Sequence, residues 1–150
     1  DFRALAGVGQ HDAVGADQRD AQAQRGVERR RSRSVRADGR VLATAGAEGV
    51  VNTWDMIIGE RKKKIVGWTK EVTSLEFIGA TAQIVTSAGD NRVRIVSDDG
   101  AEVRAISKLP DYVQAAASTP SGSTIIGGGE DSQLRVWDSA GKELAVFGTK

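Results

Sequence analysis

From Arg40 onward the chain alternates short runs rich in Val, Ile and Thr with clusters of Gly, Asp, Asn and Ser. Apolar runs of this length, closed off by turn residues, read as strand, turn, strand and leave little room for helices. The pattern predicts strands over 40–45, 50–54 and 61–66, then over 72–77, 82–87, 92–96 and 101–106, and finally over 112–118, 123–128, 133–137 and 142–147. The fold class it implies is all-β.

The runs are also copies of one another. Leu42-Ala43-Thr44-Ala45-Gly46-Ala47-Glu48-Gly49-Val50-Val51-Asn52-Thr53-Trp54-Asp55 returns 83 residues later as Ile125-Ile126-Gly127-Gly128-Gly129-Glu130-Asp131-Ser132-Gln133-Leu134-Arg135-Val136-Trp137-Asp138. A weaker copy stands between them, offset by 42: Ile84-Val85-Thr86-Ser87-Ala88 and Asp90 align with the first half, Val93 with Val51, Val96 with Trp54 and Ser97 with Asp55. A period of 42 and then 41 residues, with two strands around an acid-bearing turn and a closing Trp-Asp, is the sequence mark of a β-propeller blade. Propellers close a ring of roughly 4–8 blades. At this period 150 residues hold about three, so the expected architecture is an incomplete propeller of about three four-stranded antiparallel blades.

These residues resemble WD40 repeats over about 37–150, through Trp54-Asp55 and Trp137-Asp138 in matching register and through Glu48, Asp90 and Asp131, each six residues before the Trp position. Thr69-Lys70-Glu71-Val72-Thr73-Ser74 followed by Ser87-Ala88-Gly89-Asp90-Asn91 is also similar to units of bacterial propellers attached to cytochrome c-like domains. In the WD40 family a Gly-His pair before the inner strand, a Ser or Thr on the next strand, the turn acid and the Trp form a hydrogen-bonded staple. The resemblance assigns the structural repeat positions to Trp54, Asp55, Ser87, Asp90, Asp131, Trp137 and Asp138. No blade keeps the full set: Gly67-Trp68 and Lys108-Leu109 stand where Gly-His is expected, Val96 replaces one Trp, and Gly128 replaces one hydroxyl. Blades held mainly by apolar packing follow, with Trp54 and Trp137 burying their rings against neighbouring blades.

Composition changes the picture at one border. Residues 1–36 carry eight Arg against five acids, a net of +3, and contain no Lys, Ile, Thr, Pro, Trp or Tyr; residues 37–150 carry thirteen basic against fifteen acidic side chains, a net of −2. The repeat register places an inner strand over Arg30-Arg31-Ser32-Arg33-Ser34-Val35, which is the wrong chemistry for a buried strand. The expectation is therefore an irregular N-terminal segment over 1–36, native or translated out of frame. Blades follow at about 37–66, 67–107 and 108–150, the first without its inner strand.

Candidate chemistry is sparse. There is no cysteine, and the single histidine, His11, lies in the leader, so the repeat region offers no thiolate, no imidazole base and no imidazole metal ligand. Asp98-Asp99 and Glu130-Asp131 are paired carboxylates, but adjacent strand or turn positions point apart. Gly127-Gly128-Gly129 precedes no helix and no Lys-Ser/Thr pair, which favours close blade packing over a phosphate loop. The run Arg29-Arg30-Arg31-Ser32-Arg33-Ser34-Val35-Arg36 is a nucleic-acid candidate without the interleaved aromatics that stack bases. Arg61-Lys62-Lys63-Lys64 reads as an outer edge strand, where lysines discourage unwanted pairing.

The resemblance implies where a partner would bind. In the family the loop before each inner strand and the acid-bearing turn share one face of the disc. Carried over, that face collects Trp68, Lys70, Arg92, Asp111, Tyr112 and Gln133, beside Asp90 and Asp131. An aromatic pair among charges has hot-spot composition, whereas the structural alternative has Trp68 fill the vacated histidine pocket and Tyr112 cover a blade end. The function expected is a non-enzymatic protein-interaction scaffold, part of a larger protein, with a protein or peptide as partner, no cofactor and no metal. Membrane is not expected as a partner and nucleic acid is disfavoured; the remaining blades of a parent propeller are a further expected partner. The alternatives are a propeller domain beside an absent cytochrome c-like or hydrolytic domain, and nucleic-acid binding through 29–36. Uncovered apolar faces on both end blades predict self-association of the isolated chain.

Overall fold

In the computed structural model, which describes residues 32–148, every regular element is a strand. The first sheet contains β1 (Ser32–Val35), β2 (Val41–Ala45), β3 (Val50–Asp55) and β4 (Glu60–Val66). The second contains β5 (Val72–Phe77), β6 (Gln83–Ala88), β7 (Arg92–Ser97) and β8 (Val103–Lys108). The third contains β9 (Val113–Ser118), β10 (Thr124–Gly129), β11 (Gln133–Asp138) and β12 (Glu143–Gly148). Each is a four-stranded antiparallel meander in chain order.

Local sequence explains why the same hairpins form three times. The turn between the second and third strands of each sheet holds one residue in the left-handed region, Gly49 (φ 64°), Asn91 (φ 68°) and Ser132 (φ 59°), at equivalent repeat positions. Only at Gly49 is the side chain forbidden as well, since a Cβ would stand 2.8 Å from the carbonyl oxygens of Trp68 and Lys70. The residue after the Trp position closes the next turn. Asp55 Oδ1 accepts from the amides of Ile57 (2.8 Å) and Ile58 (3.2 Å), Asp138 Oδ1 from those of Ala140 and Lys142 (both 2.9 Å), and Ser97 Oγ from that of Glu102 (2.9 Å). A bulge between third and fourth strands recurs at Thr53/Trp54, Val93/Arg94 and Val136/Trp137, adding twist to every sheet.

Because side chains alternate across a strand, each sheet has two faces, and the core is two layers between three sheets. Val41, Ala43, Val51 and Ile65 of the first sheet pack with Leu75, Ile84 and Val96 of the second, together with Trp68 from the connecting loop. Val85, Val93, Ile95 and Ile106, on the other side of the second sheet, pack with Val113, Ala116, Ile125 and Trp137 of the third. Each large apolar side chain fully buried there stabilises the stack by about 1.5–3 kcal/mol relative to exposure.

The first sheet corrects the sequence reading: its inner strand is present, as β1, inside the segment assigned to a leader. The physical reason lies in how inner strands meet. Ser32 Oγ donates to the Thr73 carbonyl (3.0 Å) and Ser34 Oγ accepts from the Phe77 amide (3.1 Å), so hydroxyls tie β1 to β5. The motif repeats one sheet on, where Thr73 Oγ1 donates to the Val113 carbonyl (2.8 Å) and Ser74 Oγ accepts from the Ala116 amide (3.0 Å). An inner strand here needs small hydroxyl residues more than bulk. His11, Arg29, Arg30 and Arg31 lie outside the described residues.

Candidate functional site

Backbone hydrogen bonds gather turns and connecting loops along one edge of the stack. Val72 N donates to Gly46 O (3.0 Å), Gly89 N to Glu71 O (2.9 Å), Leu109 N to Asn91 O (2.7 Å) and Glu130 N to Tyr112 O (3.0 Å). The acid-bearing turns and the loops before β5 and β9 therefore share a rim, which is the face that the resemblance implied.

Two staples hold this rim, and neither uses histidine. Asp90 and Arg94 form a bidentate pair (2.6 and 3.0 Å) with both side chains almost fully buried, and the Trp68 ring lies 5.8 Å from the guanidinium. Burial opposes ionisation of Asp90, but the hydrogen bonds and charge of Arg94, helped by the amides of Thr69 and Arg92, outweigh it and hold the carboxyl below its usual range. In the third sheet Arg135 repeats the arrangement, bonding Asp131 (2.5 Å) and Gln133 Oε1 (2.7 Å). Burial again opposes ionisation of Asp131, and Arg135 with the Gln133 amide again prevails, so this carboxyl too is lowered. The first sheet has Glu48 and Asn52 at these positions, and Asn52 Oδ1 is buried without a hydrogen-bond partner among the described residues. Sequence reading missed Arg94 and Arg135. Their signal was an arginine four residues after the turn acid in two of three units.

The remaining repeat positions divide. Ser87 is buried and bonds Thr73 Oγ1 (2.7 Å) and Ser74 Oγ (2.6 Å), locking β6 to the inner strand. Trp137 is 1% exposed in the layer against the second sheet. Trp54 is only half-buried: its Nε1 donates to Thr44 Oγ1 (3.0 Å) on the face turned away from the second sheet, so among the described residues no neighbouring blade covers it. Gly127 is the close approach expected of the glycine run, since a Cβ there would meet the Trp137 ring at 2.8 Å and Val93 at 3.3 Å.

Of the residues expected to meet a partner, Lys70, Arg92, Asp111 and Gln133 are exposed along the rim. Trp68 is not. It is 7% exposed inside the first layer, so it packs between the first and second sheets rather than standing on the surface. Tyr112 is half-buried over Gly89, and its hydroxyl donates to Glu71 Oε1 (2.7 Å), which keeps that carboxyl below its usual range.

The other charged motifs are mostly engaged. Asp98, buried at the hairpin between β7 and β8, accepts from Arg36 Nη1 (2.7 Å) and Lys62 Nζ (3.2 Å), and its carbonyl accepts from Thr53 Oγ1 (2.9 Å), clasping the second sheet to the first. Arg36 also bonds Asp38, so the described end of the arginine run is spent on carboxylates while Arg33 stays exposed. Asp99 faces the other way, onto Ser97 Oγ and the Ala101 amide, and Glu130 takes the Gln114 amide while Asp131 takes Arg135. Among the described residues no group of three His, Cys, Asp or Glu is placed to hold a metal, and no helix is long and apolar enough to cross a membrane.

Stacked four-stranded meanders, inner strand against inner strand, with a Trp position facing the preceding sheet, are the blades of a β-propeller. Residues 103–138 match the family model described as WD domain, G-beta repeat. The chain is 30% identical over 100 residues to the DENN domain and WD repeat-containing protein SCD1 of Arabidopsis thaliana, covering 66% of this chain and 8% of that protein. It is 24% identical over 102 residues to Protein tipD of Dictyostelium discoideum (67% and 16%), and 30% identical over 84 residues to Pre-mRNA-processing factor 19 homolog 2 of Arabidopsis thaliana (47% and 16%). These matches support a WD40 repeat family for the chain. It spans only 8–16% of the length of these relatives. The narrower likeness to propellers beside cytochrome c-like domains gains no support from them.

Proposed function

We propose that this chain is a non-enzymatic protein-interaction scaffold, the propeller portion of a larger protein, and that it presents its loop rim to a protein or peptide. The observation that carries the reading is the contrast along that rim. Asp90, Arg94 and Trp68 form a buried, fixed base, while Lys70, Arg92, Asp111 and Gln133 stand exposed along the rim beside the half-buried Tyr112. A rigid base under mixed-charge side chains suits recognition of an extended segment, because little freedom is lost when it binds. The small share of each relative that the chain spans supports a role as one portion of a longer protein. The test is a peptide-display selection against the chain, followed by binding to variants. Selected peptides are expected to lose about tenfold or more in affinity with Arg92→Glu or Lys70→Glu, and to be indifferent to Lys63→Glu on the outer edge of the first sheet. Peptides that ignore both rim variants would refute this assignment.

A further inference from the structure

The second sheet has a described neighbour on each of its faces, the first sheet on one and the third on the other, so the surroundings of its rim come from this chain on both flanks. Three cations stand along that rim. Arg92 opens β7 and lies directly opposite Lys108, the last residue of β8, in the strand register. Lys70 belongs to the loop before β5, and the amides of its neighbour Thr69 and of Arg92 both donate to the Asp90 carboxylate, which draws the two segments together. The amide of Leu109, next to Lys108, donates to the Asn91 carbonyl (2.7 Å), so the third segment meets the same turn. All three side chains are exposed.

The nearby acids do not neutralise them. Asp90 is spent on Arg94, the Glu71 carboxylate takes the Tyr112 hydroxyl (2.7 Å), and Asp111 Oδ1 takes the Tyr112 amide (2.7 Å). Among the described residues none of the three cations forms an ion pair. Like charges directly opposite on adjacent strands destabilise a sheet, so setting Arg92 against Lys108 costs the fold. The other two sheets form without it. The same register positions hold Val50 and Val66 in the first sheet and Gln133 and Gly148 in the third, where the counterpart of Lys70 is Asp111. A charge cluster that weakens its own sheet, and that the repeat omits twice, is explained by what it binds.

We propose that Lys70, Arg92 and Lys108 form the anchor point of the rim and receive an acidic side chain, Asp or Glu, of an extended peptide. The proposal rests on the rim reading above and narrows it to a class of partner. The peptide carboxylate supplies the counter-charge that Asp90 gives to Arg94 instead, and it accepts charge-assisted hydrogen bonds from the guanidinium and ammonium groups. The field of three unpaired cations also selects acidic segments over basic ones. The buried Asp90–Arg94 pair fixes the turn that carries Arg92, so little order has to be imposed on binding.

The test takes peptides selected by display against the chain and measures their affinities by fluorescence anisotropy. Replacing the acidic residues of a selected peptide by their amides is expected to weaken binding about tenfold or more, and raised salt is expected to weaken the unaltered complex. A chain carrying both Arg92→Glu and Lys108→Glu, checked for retained strand content by circular dichroism and put through the same selection, is expected to return peptides with Lys or Arg in place of the acid. Lys108→Gln is expected to weaken the acidic peptide about threefold or more and, without peptide, to hold or raise the urea midpoint, which loss of a merely structural lysine would lower. Peptides that lose affinity with Arg92→Glu yet tolerate amide replacement would overturn the acidic anchor and leave the rim reading standing, whereas peptides indifferent to Arg92→Glu and Lys70→Glu would remove both. A urea midpoint that falls with Lys108→Gln would return the three cations to the fold and overturn the proposal.

Discussion

The layer between the first and second sheets and the layer between the second and third fill the same slot by different means. In the first layer the Trp position of the repeat is Val96, and the large ring comes from Trp68 in the connecting loop, set over Arg94. In the second layer the ring is Trp137 itself, the loop position holds Leu109, and Gly127 stands where the second sheet has Thr86, leaving room for the indole. Each layer thus contains one buried indole, delivered from a loop in one and from a strand in the other. What the repeat preserves is volume between sheets, because close packing penalises a void or a clash wherever it arises. The staple residues of the family are one way of filling that volume.

The sharpest way to break this equivalence is to empty one slot. Trp137→Ala should lower unfolding free energy by about 3–5 kcal/mol, whereas Trp54→Ala, at the matching but half-buried position, should lower it by about 1 kcal/mol. Urea unfolding followed by circular dichroism measures both; equal losses would show that the two tryptophans share an environment after all.

A second contrast lies in the staples. Arg94→Ala leaves Asp90 buried without its counter-charge and should cost about 3 kcal/mol, while Arg135→Ala, whose pair is more open to water, should cost about 1 kcal/mol. The same pairs set the response to acid. The carboxyls of Asp90 and Asp131 are lowered in the folded chain, so their stabilisation is complete above the unfolded carboxylate pKa of about 3.9 and is lost as pH falls through the lower native values. The urea midpoint should therefore drop between pH 5 and pH 3 more steeply in the parent chain than in Asp90→Asn, with pH values chosen to bracket about 3.9. A variant with an unchanged acid slope would remove Asp90 from this role.

Smaller effects sharpen the picture. Ser132→Gly relieves a left-handed serine and should stabilise the third sheet by about 0.5–1 kcal/mol, whereas Asn91→Gly, starting from a residue that tolerates this region, should change little. Trp68→Phe removes a buried Nε1 donor that has no partner among the described residues while leaving an aromatic ring beside Arg94. The lost volume and the removed orphan oppose each other, and the net change in unfolding free energy, measured by urea unfolding, should be within about 1 kcal/mol of zero.

These cases also mark how far the sequence was legible. The eleven strands expected after Arg40 all form, most within one residue of their predicted ends, because alternation of apolar runs with Gly and Asp turns is a local signal. β1 was missed because its worth is non-local: Ser32 and Ser34 look unsuited to a core until Thr73 and Phe77 are placed beside them. The rim was readable through the repeat register, and so were Ser87 and Trp137. The burial of Trp68 and the pairing of Arg94 with Asp90 depend on which volume is vacant in the neighbouring sheet, and spacing along the chain does not carry that. Trp54 was placed too deep for the converse reason, since equal register does not supply an equal neighbour.

The sheets are joined inner strand to inner strand, and amide hydrogen exchange by NMR at Phe77 and Ala116 tests that junction most directly. Both amides bond to a serine hydroxyl on another sheet, Phe77 to Ser34 and Ala116 to Ser74. They are expected to exchange as slowly as the amides in the middle of the second sheet, and Ser34→Ala is expected to speed Phe77 by about tenfold or more while sparing Ala116. Free exchange at Phe77 in the unaltered chain, or a Ser34→Ala variant that leaves it protected, would contradict the stacking of the first sheet on the second.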